Sequence, residues 1–323
     1  MLRVVSLLPG LTDTVLALSM GESLCGISHE CDMPAGWPEL PRLTRCRIDD
    51  SQSSKAIDEE VRSNSGKDLY ELDFETLARL QPDLILTQAQ CDVCAISEET
   101  VAAAAARLPG RPTILAVNPM DMAGVCQMIR DVGSKLGRSQ SASELIGLFE
   151  KLKQKSETEA TDNNRLKAAH LEWLDPPMTS GHWNRELFQL ARMDEITGKP
   201  GKASEVVDID RLRTLLNQSD MLFLGICGFS VKRTLHELNQ LSPESDLSAA
   251  LQNYQKDVYA IDGHRLMVRP GPLLLTSVLA IQQFGMPPED SGVPKEVGQL
   301  RLWPEATDAG RLEFTGGRWS IVS

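Results

Sequence analysis

The sequence PDLILTQAQCDVC, residues 82–94, decides the fold class of this chain. Its apolar run, Leu84-Ile85-Leu86, is short and follows a Pro-Asp pair, which is typical of a strand buried on both faces. The run ends at Thr87-Gln88, where a polar loop with two cysteines begins. Ligands of open α/β sheets bind at the carboxyl ends of the strands. This loop is therefore the first candidate for a binding site.

Similar strands and helices are predicted on both sides of this stretch. Residues 2–8 and 113–117 form apolar runs, and helical stripes lie between the runs, which favours a parallel α/β sheet. Residues 33–54 are rich in Pro, Arg, Asp and Ser and predict a long surface loop. From Ser139 the apolar residues recur at helical spacing, and Ser141 with Glu144 makes a capping box. We predict one long linker helix here.

The second half of the chain repeats a pattern of the first half. In each half one aspartate can cap a helix and a second aspartate precedes a buried strand, as Asp73 and Asp83 do first and Asp208 and Asp220 do later. We therefore predict an α/β protein with two Rossmann-like lobes, joined by one long helix, and a ligand cleft between the lobes. The predicted parts are the N-terminal lobe 1–138, the linker helix 139–160, the C-terminal lobe 161–288, and an extension 289–323 with a β-hairpin.

Composition excludes some classes of function. The formal charge of -12 argues against a nucleic-acid partner, and no segment has the apolar length of a membrane span. The first residues, MLRVVSLLP, lack the apolar core of a secretory signal, so we expect a cytoplasmic protein. A periplasmic protein whose signal had been removed is the alternative. The odd number of cysteines, 7, favours reduced thiols.

Six loops at strand ends would face one cleft if both sheets pointed their carboxyl edges inward. These are residues 8–12, 28–32, 87–94, 172–183, 227–229 and 269–272. Pockets between domains that are lined by aromatic and a few polar groups are typical of small-molecule sites. The candidate binding residues are Pro9, His29, Glu30, Gln88, Gln90, Cys91, Trp173, His182, Trp183, Phe229 and Arg269. A position in the hydrophobic core is an equally good prediction for Trp173 and Trp183.

The histidines and cysteines of these loops leave alternatives open. Cys91-x-x-Cys94 fits plain pocket thiols, a metal contact or a redox pair, but a zinc site would need a second pair at matched spacing, which the sequence lacks. His29 and His182 are either hydrogen-bonding side chains or metal ligands. No P-loop, dinucleotide-binding or nucleophile-elbow motif is present, so we predict no catalytic residue and no catalytic cofactor.

Seven short motifs together resemble a known family. They are SLLP (6–9), SHECD (28–32), TQAQCDVCA (87–95), EWLDPPM (172–178), GHW (181–183), CGF (227–229) and RPGP (269–272). Their order and spacing are similar to those of the cobalamin-type branch of the metal-chelate periplasmic-binding-protein superfamily, the substrate-binding proteins of ABC transporters. The resemblance covers roughly residues 2–285. Two motifs depart from the family pattern: Ala191-Arg192-Met193 replaces Ala-Gly-Gly, and Pro9-Gly10-Leu11-Thr12 lacks the usual Ser-Ala-Thr.

The resemblance implies a non-enzymatic protein that holds a corrinoid, such as cobalamin, between its lobes. It implies a role in uptake with an ABC permease if the protein is exported, or intracellular corrinoid handling if it is not. Trp173, Trp183 and Phe229 would lie against the corrin ring. Arg269, Gln88, Gln90 and Glu30 would address its amide rim.

A cobalt ligand can also be suggested from these loops. His29, or else His182, would coordinate the metal, because cobalt(III) accepts imidazole nitrogen. The alternative of a different class is a metal- or haem-handling chaperone or enzyme. It would use His29, Cys31, Cys91 and Cys94.

Overall fold

The computed structural model describes residues 1–64, 69–89, 96–158, 165–285 and 309–322. Strands and helices alternate along most of these ranges. The strands are β1 Val4–Ser6, β2 Leu24–Ile27, β3 Thr44–Cys46, β4 Tyr70–Leu72, β5 Leu84–Gln88, β6 Thr113–Val117, β7 Lys167–Trp173, β8 Met178–Thr179, β9 Asp194–Glu195, β10 Met221–Leu224, β11 Asp257–Ile261, β12 Ala309–Thr315 and β13 Arg318–Val322. The α-helices are α1 Pro9–Ala17, α2 Ser54–Ser63, α3 Phe74–Leu80, α4 Glu98–Ala106, α5 Met122–Lys135, α6 Ser139–Thr158, α7 Asn184–Leu190, α8 Ile209–Gln218, α9 Val231–Gln240, α10 Asp246–Gln252 and α11 Leu273–Gly285.

The N-terminal lobe is built on a parallel sheet of four strands in the order β2-β1-β5-β6. Strand β5 comes from the stretch that decided the fold class, and all five of its residues are buried. It lies inside the sheet, where apolar side chains are covered on both faces. The carboxyl ends of β1, β2 and β5 bring residues 8–12, 28–32 and 87–89 to one edge of the sheet.

The C-terminal lobe is built on a second sheet, with the order β13-β12-β11-β10-β7-β8 and β9 beside β7. Strands β7, β10 and β11 are parallel, and β12 pairs with β11 antiparallel. The chain reverses between β12 and β13 at Gly316 and Gly317, which both have positive φ, the conformation that glycine adopts most easily. The hairpin therefore belongs to the sheet of the C-terminal lobe, whereas we expected it in a separate extension.

The repeated aspartates make equivalent hydrogen bonds in both lobes. Asp73 accepts a hydrogen bond from Thr76 N at the start of α3, and Asp208 does so from Arg211 N at the start of α8. In the first lobe Asp83 Oδ2 accepts from the backbone N–H of Arg3 at 2.8 Å. In the second lobe its counterpart Asp220 Oδ2 accepts from the backbone N–H of Lys167, the first residue of β7, also at 2.8 Å. Each aspartate thus sets the register between two parallel strands.

Helix α6 links the lobes and carries a stripe of buried apolar residues along one face. It packs against α5 of the N-terminal lobe and α7 of the C-terminal lobe. One apolar cluster runs through this contact and includes residues of both lobes, such as Val125, Phe149 and Leu187. The structure is therefore an α/β protein of two lobes joined by a long helix. Residues 159–164 lie outside the described part, and the exact domain limits stay a prediction.

Membrane insertion was not expected from the sequence. Within the described ranges, every helix is too short or too polar to cross a bilayer.

Candidate functional site

The loops at the carboxyl ends of the two sheets meet each other. The closest approach is between Gly10 at the start of α1 and Pro270 before α11, where a Cβ on Gly10 would lie 2.1 Å from the Pro270 carbonyl oxygen. A side chain at position 10 would therefore push the lobes apart. This explains why the sequence has glycine here, in one of the two motifs that depart from the family pattern.

A cluster of charged side chains lies beside this contact. Arg269 Nη2 donates to Asp32 Oδ2 at 2.8 Å, and Arg269 Nε donates to the carbonyl oxygen of His264 at 3.0 Å. The Arg269 side chain is only 2% exposed. We expected Arg269 to address a ligand, but the structure places it in the contact between the lobes. Its hydrogen bonds would have to be exchanged before it could reach a bound molecule.

Asp13 of α1 faces the same arginine from the N-terminal lobe. Its Oδ2 atom lies 3.9 Å from Arg269 Nη1, and within the described structure neither carboxylate oxygen has a hydrogen-bond partner. Burial raises the pKa of Asp13 to about 7, against a smaller opposing effect of Arg269. The charge of this carboxyl group therefore changes near neutral pH.

His29 lies in a small cavity at the edge of the N-terminal lobe. Its Nδ1 atom is 2.7 Å from Thr44 Oγ1, and its Nε2 atom is 3.2 Å from Glu30 Oε1. The backbone N–H of His29 also donates to Thr44 Oγ1, so the hydroxyl hydrogen is available to Nδ1. When the hydroxyl donates to Nδ1, the ring proton lies on Nε2, the nitrogen that faces Glu30. His29 can coordinate a metal only if Nε2 is deprotonated and released from that carboxylate.

The cavity beside His29 has a volume of about 20 Å³ and is lined by residues that include Pro9, Glu30, Tyr70 and Ile96. The Tyr70 ring centroid lies 5.7 Å from that of His29. This space holds about one water molecule. The cavity by itself is too small for a macrocyclic ligand.

Trp173 and Phe229 form an aromatic wall on the C-terminal lobe, with ring centroids 5.4 Å apart. Trp173 is half-buried, whereas Phe229 is buried in the core and supports Trp173 from behind, which corrects the expectation that Phe229 itself faces a ligand. Cys227 beside them is exposed to solvent. The surrounding protein and the carboxylates Glu172 and Glu30 raise the pKa of its thiol to about 12.

Trp183 does not belong to this wall. It is buried, and its Nε1 atom donates to the Met267 carbonyl oxygen at 3.1 Å. The expectation of a ligand-facing Trp183 is corrected accordingly, in favour of the core position that the sequence left open. His182 lies just before α7, is half-buried, and has its ring 5.5 Å from that of Trp183.

The loop that carries these residues is held by a buried carboxylate. Glu172 Oε1 accepts from Gly181 N at 2.8 Å and from Asn184 Nδ2, and Oε2 accepts from Ser204 Oγ. Both oxygens of Glu172 are used to fix the loop 172–183. Its role is therefore to position the loop.

The remaining candidates are divided between buried and undescribed positions. Gln88 is buried at the end of β5, and Pro9 is half-buried at the start of α1. Gln90, Cys91 and Cys94 lie outside the described residues.

Cys31, which the alternative function required, is buried, and its Sγ atom contacts Thr12 Oγ1 at 3.1 Å and Ser28 Oγ at 3.3 Å. Metal ligation by Cys31 is thus corrected to a core role. In the described ranges no three His, Cys, Asp or Glu side chains are grouped to hold a metal ion.

Several residues of the site were missed by sequence reasoning. The loop 33–54 was expected on the surface, but Ser54 is fully buried against the C-terminal lobe and bonds to Glu237. Asp13 and Tyr70 were missed as well, because each lies within a helix or strand rather than in a strand-end loop. The only available signal was the motif Ser-Gln-Ser-Ser at 51–54, whose serines can cap a helix.

The comparison with protein families now identifies the chain. Residues 4–262 match the family described as periplasmic binding protein. The chain therefore belongs to this family, which confirms the resemblance. A search of curated proteins gives no match.

Solved structures of the same fold include proteins for different ligands. One is the periplasmic vitamin B12 binding protein BtuF of Vibrio cholerae, with 19% identity, a TM-score of 0.57, and coverage of 87% of this chain and 95% of that one. Another is the periplasmic heme-binding protein RhuT from Roseiflexus sp. RS-1, with 18% identity, a TM-score of 0.58, and coverage of 87% and 98%. A third is an ABC transporter substrate-binding protein from Listeria monocytogenes EGD-e, with 13% identity, a TM-score of 0.57, and coverage of 87% and 97%.

These findings correct the expected location. A cytoplasmic protein was expected because the first residues lack a secretory signal, but the family consists of periplasmic binding proteins. The N-terminal residues of the sequence are therefore a poor guide to the compartment.

Proposed function

We propose that this protein is a non-enzymatic periplasmic binding protein for a corrinoid, held between the two lobes. The wall of Trp173 and Phe229 would face one side of the corrin ring, and the loop of His29 and Glu30 would face the other. The choice of a corrinoid rests on which charged groups around the cleft are exposed and which are hydrogen-bonded within the chain. Glu30 keeps a partly exposed carboxylate, whereas the nearby arginines are bonded within the chain.

Three arginines near the cleft have acceptors within the chain. Arg42 Nη1 donates to the carbonyl oxygens of His29 and Cys31 at 2.7 and 2.8 Å. Arg233 donates to backbone carbonyls of the opposite lobe, and Arg269 is bonded to Asp32. Haem carries two propionates, which need cationic or hydrogen-bonding partners in a protein. The rim of a corrin ring instead carries primary amides, whose N–H groups can donate to Glu30.

Haem is the second candidate, and one observation favours it. The rings of His29 and Tyr70 lie close together at the same cavity, and both residue types serve as axial ligands of haem iron. In that case an arginine would have to leave its present acceptor to pair with a propionate. For the corrinoid it is enough that the partly exposed Glu30 carboxylate accepts from an amide, and for this reason we place it first.

The partner implied by this function is an ABC permease that receives the ligand from the closed protein. The support is the family membership and the similarity to an ABC transporter substrate-binding protein. The periplasm is the compartment in which such a protein would act. The acidic net charge of -12 and the absence of a catalytic motif are consistent with binding of a small molecule.

A titration with three probes tests the proposed function. Purified protein is titrated by calorimetry with hydroxocobalamin, hemin and Zn²⁺ in parallel. We expect saturable binding of one hydroxocobalamin per chain, weaker hemin binding and no specific zinc site. Tight hemin binding with no response to hydroxocobalamin would replace the corrinoid by haem. Binding of Zn²⁺ without binding of hydroxocobalamin or hemin would support the alternative, a metal-handling protein.

A further inference from the structure

One segment of the N-terminal lobe is attached to the C-terminal lobe. This segment, residues 51–57, is called the strap below. Its contacts with the second lobe are Ser54 N to Glu237 Oε1 at 2.7 Å, Ser54 Oγ to the same oxygen at 2.7 Å, and Arg233 Nη2 to the Ser51 carbonyl oxygen at 3.0 Å. Arg233 also donates to the Gln52 carbonyl oxygen. Ile57 packs against the apolar core of the C-terminal lobe.

The strap includes the first turn of helix α2, and the rest of this helix is largely exposed or half-buried. Only Ser54 of the ten residues in α2 is buried. The apolar side chains Ala56 and Val61 are only half-covered. An amphipathic helix of a globular protein usually buries a continuous apolar face against its own domain. The position of α2 therefore depends mainly on the contacts that the strap makes with the other lobe.

The strap also contacts the aromatic wall of the candidate site. Trp173 Nε1 donates to the Ser54 carbonyl oxygen at 3.2 Å. The Arg233 guanidinium lies 4.8 Å from the centre of the Phe229 ring, and that ring packs against Trp173. The Trp173 ring also packs against Phe229 and the apolar core of the C-terminal lobe, and the hydrogen bond to Ser54 sets the orientation of its N–H edge.

Glu237 is the acceptor that keeps the strap in place. It is a buried residue of α9, and one oxygen accepts both hydrogen bonds from Ser54. Hydrogen bonds to a charged acceptor are stronger than those between neutral groups. Removal of the carboxylate would leave the buried donors of Ser54 without a partner, and the strap would be released into water.

We infer that Ser54 and Glu237 are positioning residues of the binding site: they fasten the strap across the two lobes and thereby hold Trp173 against a bound ligand. Release of the strap frees the indole and opens one side of the cleft. The strap thus governs how long a ligand is retained. This inference rests on the proposed function for its ligand, but the attachment of the strap and the orientation of Trp173 are properties of the ligand-free protein.

The test compares Glu237→Ala, which removes the acceptor, with the conservative Glu237→Gln, which keeps a carbonyl oxygen in its place. Glu244→Ala is the matched control, because Glu244 is an exposed glutamate of the same lobe. Ser54→Ala is a milder second variant that removes one of the two hydrogen bonds, for use if Glu237→Ala does not fold. Backbone amide hydrogen exchange over residues 51–58 is measured by mass spectrometry without ligand.

The orientation of Trp173 is read from near-ultraviolet circular dichroism. Each variant is measured alone and combined with Trp173→Phe. We expect Glu237→Ala to speed exchange of the strap amides at least tenfold. It should also change the tryptophan signal in the wild-type background but not in the Trp173→Phe background. Glu237→Gln should fall between wild type and Glu237→Ala, and Glu244→Ala should match wild type.

The rate of ligand release is then measured with hydroxocobalamin as the probe, by stopped flow against excess competitor. We expect Glu237→Ala to release it at least fivefold faster, with a smaller change in the association rate. An unchanged exchange rate of the strap would overturn the inference, as would a released strap that leaves the Trp173 signal unchanged. If the wild type binds no hydroxocobalamin, the proposed function fails, and exchange and dichroism alone decide on the strap.

Discussion

Arg269 Nη1 lies 3.9 Å from Asp13 Oδ2, and both side chains are buried where the two lobes meet. Asp32 shares the arginine, and Arg265 faces the same group of carboxylates. A carboxyl group that is buried without a hydrogen bond is costly to ionise. The contact between the lobes is therefore coupled to the protonation of Asp13, for which the pKa is raised to about 7.

This coupling predicts a stability that falls as the pH rises. The pKa of Asp13 is 3.8 for the free residue and about 7 in the folded protein. Below pH 4 the carboxyl group is protonated in both states, and no penalty arises. Between pH 4 and 7 the unfolded state releases the proton first, so the folded state loses stability, by up to about 4 kcal/mol. Above pH 7 the loss is constant.

Thermal unfolding of wild type and Asp13→Asn from pH 4 to 8 checks this. We expect the wild type to lose stability relative to the variant across this interval, and the exposed control Asp50→Asn to follow the wild type. Burial lowers the pKa of His170 to about 4, so this histidine lowers the free energy of unfolding as the pH falls towards 4. The difference between wild type and Asp13→Asn removes this common effect. Parallel pH profiles of the two proteins would show that Asp13 does not titrate in this range.

The two tryptophans of the second lobe should respond differently to truncation. Trp183→Ala removes a buried ring and its hydrogen bond to Met267, so we expect a loss of about 3–5 kcal/mol in the free energy of unfolding. Trp173→Ala should weaken hydroxocobalamin binding by about 1–3 kcal/mol, roughly 5- to 150-fold. Denaturant unfolding and calorimetric titration measure both quantities. Equal affinities of Trp173→Ala and wild type would remove Trp173 from the site.

The spectrum of hydroxocobalamin tests the role of His29. Its upper ligand is exchangeable, so coordination by His29 Nε2 should shift the visible bands on binding. We expect His29→Ala to abolish the shift while the affinity for methylcobalamin changes little. Because Nε2 now lies 3.2 Å from Glu30 Oε1, Glu30→Gln should ease coordination and raise the rate of the shift. His236→Ala is the matched control, because His236 is an exposed histidine of α9. Identical spectra for wild type and His29→Ala would leave His29 with a hydrogen-bonding role.

The acidic character of the cleft predicts a slow reaction of an exposed thiol. Cys227 is accessible, but its pKa is raised to about 12, so little thiolate exists at pH 8. We expect iodoacetamide to modify Cys227 slowly, and Glu30→Gln to speed the reaction because one of the two opposing carboxylates loses its charge. Peptide mass spectrometry after timed labelling measures the rate at this residue. A rate that is equal in the two proteins would place Glu30 too far from Cys227 to matter.

Much of the fold was predictable because it depends on local patterns. The buried run of β5, the start of α6 at Ser139, and the aspartates before two helices are written in consecutive residues. The pairing of the last hairpin with β11 was not predictable in this way. It depends on contact between Leu312 and Val258, which are far apart in sequence.

The site was predicted less well, because position in a loop does not determine exposure. Trp183 and Arg269 lie in the expected loops, but a backbone carbonyl in one case and Asp32 in the other draws them into buried contacts. The strap is a long-range contact between Ser54 and Glu237, 183 residues apart, and no local pattern indicates it.

The most direct test of the central proposal is to locate the metal of the ligand. Crystals of the protein with hydroxocobalamin are measured at the cobalt absorption edge, and an anomalous difference map gives the cobalt position. We predict one cobalt site per chain between the loop of His29 and Glu30 and the wall of Trp173 and Phe229. A cobalt site on the outer surface of either lobe, or a cleft with no cobalt in crystals grown with excess ligand, would contradict the proposed function.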